Sequence, residues 1–200
     1  YSFIPEAKQI KNKGIDTINA IAAERKAAAR KALQKEIDRI AELKAERTYA
    51  EIENMYASII PNVTEKELRN DLEKERRLNR LFALAKQSII EYVTEKGELN
   101  VQGIGLITGM DESLFSLEID GVGMDVTWDK MRDREFLSLL SLTVMRETAE
   151  PELFAAYGYM LMESGNAAKA ETWLKKALSG SDDLEAEYPL LFGELKARIE

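Results

Sequence analysis

The sequence predicts a mainly α-helical protein with one small β unit near the middle of the chain. Three observations lead to this fold class. Strong helix formers fill long stretches on both sides of residue 100, whereas apolar and polar residues alternate only between residues 99 and 130. Five of the 11 glycines fall in that same segment. We therefore expect a helical hairpin over 1–96, a β meander over 97–131 and a helical unit over 132–200.

The first segment begins with a long predicted helix. From Pro5 to Ile60 there is one glycine and no further proline, and apolar residues recur every three or four positions in a narrow stripe, as in a coiled coil. The stripe contains Ile15, Ile18, Ala22, Leu33, Ile37, Ile40, Tyr49, Ile52, Tyr56 and Ile59. A helix of about 45 residues is roughly 67 Å long, which exceeds the diameter of a compact domain of this size. We expect part of it to project or to pair with a second chain.

A second helix should follow Pro61. Thr64 and Glu67 match a capping box, and Gly97 suits the position after the last helical turn. One side of this helix is apolar, with Leu68, Leu72, Leu78, Phe82, Ala85, Ile89, Tyr92 and Val93. The segment is thus predicted to be a long antiparallel helical hairpin that acts as a spacer or self-association arm. A docking arm for a specific partner is the alternative.

The β segment contains three alternating runs, around Leu106, Leu117 and Val126, separated by glycine-containing turns. This pattern predicts a three-stranded antiparallel meander, which could curl like an SH3-type barrel, with Phe115 and Trp128 anchoring it to the helices. Its acids could in principle bind a cation or form a catalytic pair; they are Asp111, Glu112, Glu118, Asp120, Asp125 and Asp129. Turn chemistry explains most of them, and no spacing matches an EF-hand loop. We expect no metal site and no cofactor.

Residues 151–182 resemble one tetratricopeptide repeat, a helix-turn-helix unit in which large and small residues alternate at fixed positions. The resemblance rests on Phe154, Tyr157, Gly158 and Leu161 in the first helix, on the turn Gly165-Asn166, and on Ala170, Leu174 and Ala177 in the second helix. Asp182 stands where the family has proline. Because a single repeat cannot bury its faces, we expect flanking helices over 134–148 and 184–199.

The resemblance implies a protein or peptide binder. By the register of the repeat, the groove would be formed by Glu152, Ala155, Tyr159, Met162 and Glu163. The alternative is that these residues pack on a neighbouring helix or on the β segment. The whole arrangement also resembles segments of large multidomain bacterial proteins of unassigned function.

Composition restricts the function further. The chain has no histidine and no cysteine, which removes imidazole bases, thiol nucleophiles, disulfides and the usual zinc sites. Residues 1–100 carry 19 Lys/Arg against 17 Asp/Glu, whereas residues 101–200 carry 9 against 19. An acidic chain without a basic stripe is a poor candidate for nucleic-acid binding. No apolar run reaches the roughly 20 residues that a membrane span requires.

These observations favour a noncatalytic protein–protein interaction scaffold or adaptor. In this hypothesis the coiled coil provides spacing or self-association through residues 1–96, and the repeat-like unit binds a protein or peptide. A self-assembling structural protein is the alternative, and a carboxylate-dependent hydrolase that uses the acids of the β segment is a third hypothesis. The chain begins with Tyr1 instead of methionine, which favours an exported and processed protein.

Overall fold

The computed structural model describes residues 3–181 and residue 184, with side chains from Ile15 onward. Its helices are α1 (Phe3–Ala32), α2 (Gln34–Glu46), α3 (Tyr49–Ile59), α4 (Lys66–Lys96), α5 (Asp133–Val144), α6 (Pro151–Glu163) and α7 (Ala167–Gly180). Its strands are β1 (Leu99–Val101), β2 (Gly105–Met110), β3 (Leu114–Ile119) and β4 (Val122–Thr127), and short 3-10 turns span Ile60–Asn62 and Trp128–Lys130. The predicted class, mainly α with a small β unit, is confirmed.

The helix predicted from the N-terminus to Ile60 is divided into α1, α2 and α3, so the prediction of one continuous helix is wrong. The interruption at Leu33 is slight, because its N–H still bonds to Arg30 O and its carbonyl accepts from Ile37. The second interruption is a true turn, since Arg47 has a left-handed φ of 54° and Thr48 N–H bonds back to Leu43 O. Neither glycine nor proline stands there, so local sequence gave no sign of it.

Helix α4 begins one residue later than the predicted capping box implies. The side chain of Glu65 accepts a hydrogen bond from Leu68 N–H at 2.6 Å, so Glu65 replaces Thr64 as the capping residue. The helix ends at Gly97, as predicted, and this glycine has a positive φ of 74° that suits the position.

Helices α3 and α4 pack antiparallel. Three hydrogen bonds set their register: Tyr56 Oη donates to Glu75, Arg76 Nε to Glu53, and Asn79 Nδ2 to Tyr49 O. Between these polar bridges the apolar sides of both helices are buried; Ile52, Leu68 and Leu72 are among the fully covered residues. The predicted apolar side of α4 therefore forms part of the core.

The β segment forms a four-stranded antiparallel sheet in the order β1-β2-β3-β4, so the prediction of three strands is wrong. The first alternating run is cut in two by a turn, in which Ile104 N–H bonds to Val101 O. Gly103 and Gly105 make this turn possible with φ values of 85° and 120°. The predicted turn between β3 and β4 is present, and its two central residues, Asp120 and Gly121, both have positive φ, as a type I′ turn requires.

One apolar core connects the sheet to the helices. Trp128 is fully buried between Phe115 of β3 and Phe136 of α5, with ring centroids 5.8 and 6.1 Å away. At the other end of the core α6 packs on α7, where a Cβ added to Gly158 would lie 2.7 Å from Leu174 Cγ. Only glycine allows this close approach. The predicted helix over 184–199 lies outside the described residues, apart from the buried Leu184.

Candidate functional site

The first candidate surface is the exposed stripe of α1, which we define as Ile15, Ile18 and Ile21. All three isoleucines are exposed, and Ile18 most of all at 67%. A large apolar side chain on a helix normally faces a core, so three of them within two turns mark a surface without a partner among the described residues.

This stripe continues a side of the helix that is packed further along the chain. Ile15 precedes Leu33 by 18 residues, or about five turns, which places both on the same side of the helix. Leu33 and Ala29 pack against the core, and Ile40 of α2 is buried. Lys26 forms the ion pair at which α1 meets α4, with its Nζ 2.7 Å from Asp71. N-terminal to Lys26, the same apolar side of α1 is exposed instead of covered.

The second candidate is the groove predicted on α6. Ala155 and Tyr159 are buried, Glu152 is half-buried, and Met162 is 42% exposed. Burial of Ala155 and Tyr159 favours the alternative interpretation for these two positions, namely packing against neighbouring elements. Of the predicted groove, the side chains of Met162 and Glu163 remain at the surface.

Glu163 lies at the rim of a cavity of about 550 Å³ between α2, α5 and α6. Partial desolvation raises the pKa of its carboxyl group, while the nearby Lys44 acts in the opposite direction. Asp133 and Arg47 also line this cavity. The cavity therefore contains charges of both signs and presents no single ligand chemistry.

Two buried cations connect separate elements of the fold, and sequence reasoning missed both. Arg47 donates to Trp128 O at 2.8 Å and to Asp133 at 2.7 Å, and its guanidinium lies 5.0 Å from the centre of the Phe136 ring. These bonds hold the α2–α3 turn against the start of α5. No local pattern marks Arg47, because its partners lie more than 80 residues away in the sequence.

Lys86 of α4 is only 3% exposed, and its ammonium group is fully used. Its Nζ donates to Arg47 O and Glu112 O, lies 3.3 Å from the Glu112 carboxylate, and lies 4.8 Å from the centre of the Trp128 ring. Burial lowers the pKa of Lys86, and Glu112 partly offsets this effect. With these partners, Lys86 is a structural cation that links α4 to the sheet.

Two acids of the β segment accept hydrogen bonds within the turns and strands. Asp111 accepts from the backbone N–H groups of Ser113 and Leu114, and these bonds lower the pKa of its carboxyl. Asp125 accepts from Ser116 Oγ across the hairpin at 2.7 Å. In the part of the chain that the structure describes, no three carboxylates come together as a metal site would require.

The third candidate surface is the exposed end of the β3–β4 hairpin. Ile119, Val122 and Met124 are all exposed there, with Val122 the most exposed at 61%. We call these three residues the hairpin patch. Since Ile119 is paired with Val122, and Leu117 with Met124, the patch lies on the face of the sheet that is buried at Phe115 and Leu117.

Comparison with known proteins gives no further guidance. No family model, no curated protein and no solved structure matches this chain. Across residues 3–181, no helix is both long enough and apolar enough to cross a membrane. The exposed surfaces of the chain are therefore the features that indicate a function.

Proposed function

We propose that this chain is a noncatalytic protein–protein interaction scaffold that self-associates through α1. The observation that carries the proposal is the exposed stripe of Ile15, Ile18 and Ile21. An isolated helix is marginal in water, and most helical stability in proteins comes from packing an apolar side. The stripe is the side of α1 that lacks such packing among the described residues, so association would bury it.

We propose further that α6 and α7 form a tetratricopeptide-like unit. The close approach of Gly158 to Leu174, together with the burial of Ala170 and Ala177, supports this interpretation. Its contribution to binding would fall on Met162 and Glu163, because Ala155 and Tyr159 are already covered. In this proposal the unit mainly stabilises the scaffold, and α1 provides the contact.

The test is the molar mass of the chain in solution, measured by sedimentation equilibrium across a micromolar concentration series. We expect the mass to rise from 22.6 kDa toward at least twice that value. The variant Ile15→Asp/Ile18→Asp should remain monomeric, because two carboxylates replace the apolar stripe. The matched control is Ala20→Asp/Ala27→Asp, which adds the same charge on the opposite side of α1, where both alanines are exposed.

The control variant should associate like the wild type. A wild-type mass that stays at 22.6 kDa over the whole series would overturn the proposal. Equal loss of association in both variants would also overturn it, because the effect would then come from added charge and not from the stripe.

A further inference from the structure

The hairpin patch differs from other exposed apolar residues because the sheet segment that carries it has only acidic charged residues of its own. From Gly97 to Asp129 the sequence contains seven acids and neither lysine nor arginine. Glu118 and Asp125 are exposed on the opposite face of the two strands that carry the patch, and the exposed Asp120 lies in the turn beside it. The patch is therefore an apolar surface on a sheet segment that is acidic as a whole.

Helix α1 has the complementary chemistry. Its 30 residues contain seven Lys/Arg and three Asp/Glu, so it is net basic. The exposed isoleucines of the stripe thus lie on a positively charged helix. The chain carries two apolar surfaces of opposite charge, and neither is covered within the described residues.

We propose that the docking face for α1 is the hairpin patch of a second copy of this chain. This inference rests on the proposed self-association and names the surface that receives the stripe. Pairing two patches would bring two acidic sheets against one another, and pairing two α1 helices would oppose two basic helices. Contact of α1 with the patch instead places two apolar surfaces together and a basic helix against an acidic sheet.

The two contacting surfaces of this interface differ, so two arrangements are compatible with it. If two copies exchange α1 helices reciprocally, the interface is isologous and the assembly closes as a dimer; if each copy gives its α1 to a different neighbour, the interface is heterologous and forms a ring or a longer chain. In either case each copy needs both surfaces for self-association. A symmetric α1–α1 coiled coil needs only the stripe, and this difference makes the two arrangements experimentally separable.

The experiment uses two full-length variants, each of which removes one surface. The stripe variant is Ile15→Asp/Ile18→Asp, and the patch variant is Val122→Lys/Met124→Lys. The control is Gln102→Lys/Thr108→Lys, which adds two lysines to exposed positions of the same sheet segment outside the patch. Circular dichroism melting curves establish that all variants are folded before their masses are measured by sedimentation.

We expect both the stripe variant and the patch variant to be monomeric alone, and the control to associate like the wild type. An equimolar mixture of the stripe and patch variants should form a 1:1 complex, because one intact stripe and one intact patch remain. Raising the salt concentration from 50 to 500 mM, on the order of a threefold shorter screening length, should weaken wild-type association.

Association of the patch variant alone would overturn this inference in favour of an α1–α1 coiled coil, while leaving the proposed self-association intact. A mixture that remains monomeric would also overturn it. A wild-type chain that is monomeric at every concentration would instead refute the proposed function, so the two failures are distinguishable.

Discussion

Helices α1 and α4 are nearly equal in length, at 30 and 31 residues, yet they differ sharply in what they bury. Both carry an apolar stripe at helical spacing and many charges. The stripe of α4 is covered from Leu68 to Val93, whereas that of α1 is exposed from Ile15 to Ile21. Amphipathic spacing therefore predicts a helix and the side that will be covered, but it does not identify the partner that covers it.

The largest expected effect in this comparison comes from a substitution that creates a cavity beside α4. Leu72 is fully buried, so Leu72→Ala should lower the free energy of unfolding by about 2–5 kcal/mol. Ile18→Ala in the exposed stripe should change it by less than about 0.5 kcal/mol at concentrations where the chain is monomeric. Urea denaturation of both variants measures the difference. Similar losses would mean that the stripe of α1 is already packed.

A second test concerns the turn at Arg47, which ends α2 and separates it from α3. Arg47→Ala removes two hydrogen bonds from a charged donor, to Trp128 O and to Asp133. We expect a loss of about 2 kcal/mol, because hydrogen bonds to charged groups contribute about 1.5–3 kcal/mol and the Asp133 carboxylate can be rehydrated. Asp133 is 87% exposed, which keeps the loss below that of breaking a fully buried pair.

Arg39→Ala is the control for Arg47→Ala. Arg39 lies on the same helical run and pairs with Glu42, but it is exposed, so its removal should cost less than about 0.5 kcal/mol. Chemical denaturation of the two alanine variants under identical conditions gives the comparison. If Arg47→Ala were as mild as the control, the bonds to Trp128 and Asp133 would not be what holds the turn.

The parts of the fold that could be predicted from sequence depend on local chemistry. Gly97 at the end of α4, the turn at Asp120-Gly121 and the small residues between α6 and α7 all follow from backbone conformation or close packing. The break at Arg47 could not be predicted in this way. A non-glycine residue in the left-handed region costs about 1–2 kcal/mol, and here the compensating bonds come from residues far away in the sequence.

The candidate surfaces show the same difference between features that follow from local sequence and features that depend on distant residues. The stripe on α1 is visible in the sequence as the spacing of Ile15 and Ile18, and the hairpin patch as alternation in β3 and β4. Their exposure is not visible there, because it depends on where α4 and the rest of the core end. Burial of Ala155 and Tyr159 likewise depends on neighbouring elements, which the register of a single repeat does not specify.

The smallest expected effect concerns the packing of α3 against α4. This effect depends on pH. Tyr56 is buried against α4 and donates a hydrogen bond to Glu75; burial, followed by the negative charge of Glu75, raises the pKa of its hydroxyl above the ordinary value of 10.0. Stability from the neutral tyrosine is therefore fully present below pH 10.0 and is lost as the pH rises through the higher folded-state pKa.

Tyr56→Phe should separate the hydrogen bond of the hydroxyl from the effect of its ionisation. At pH 7 the variant loses one hydrogen bond and about 1 kcal/mol of stability. As the pH rises above 10.0 this deficit should shrink and then reverse, because the phenylalanine has no proton to lose and the unfolded state gains nothing from ionisation at this position. Urea midpoints measured from pH 7 to pH 11 should therefore converge and then cross. Parallel midpoints over this range would show that the tyrosine ionises as easily when folded as when unfolded, and hence that α4 does not cover it.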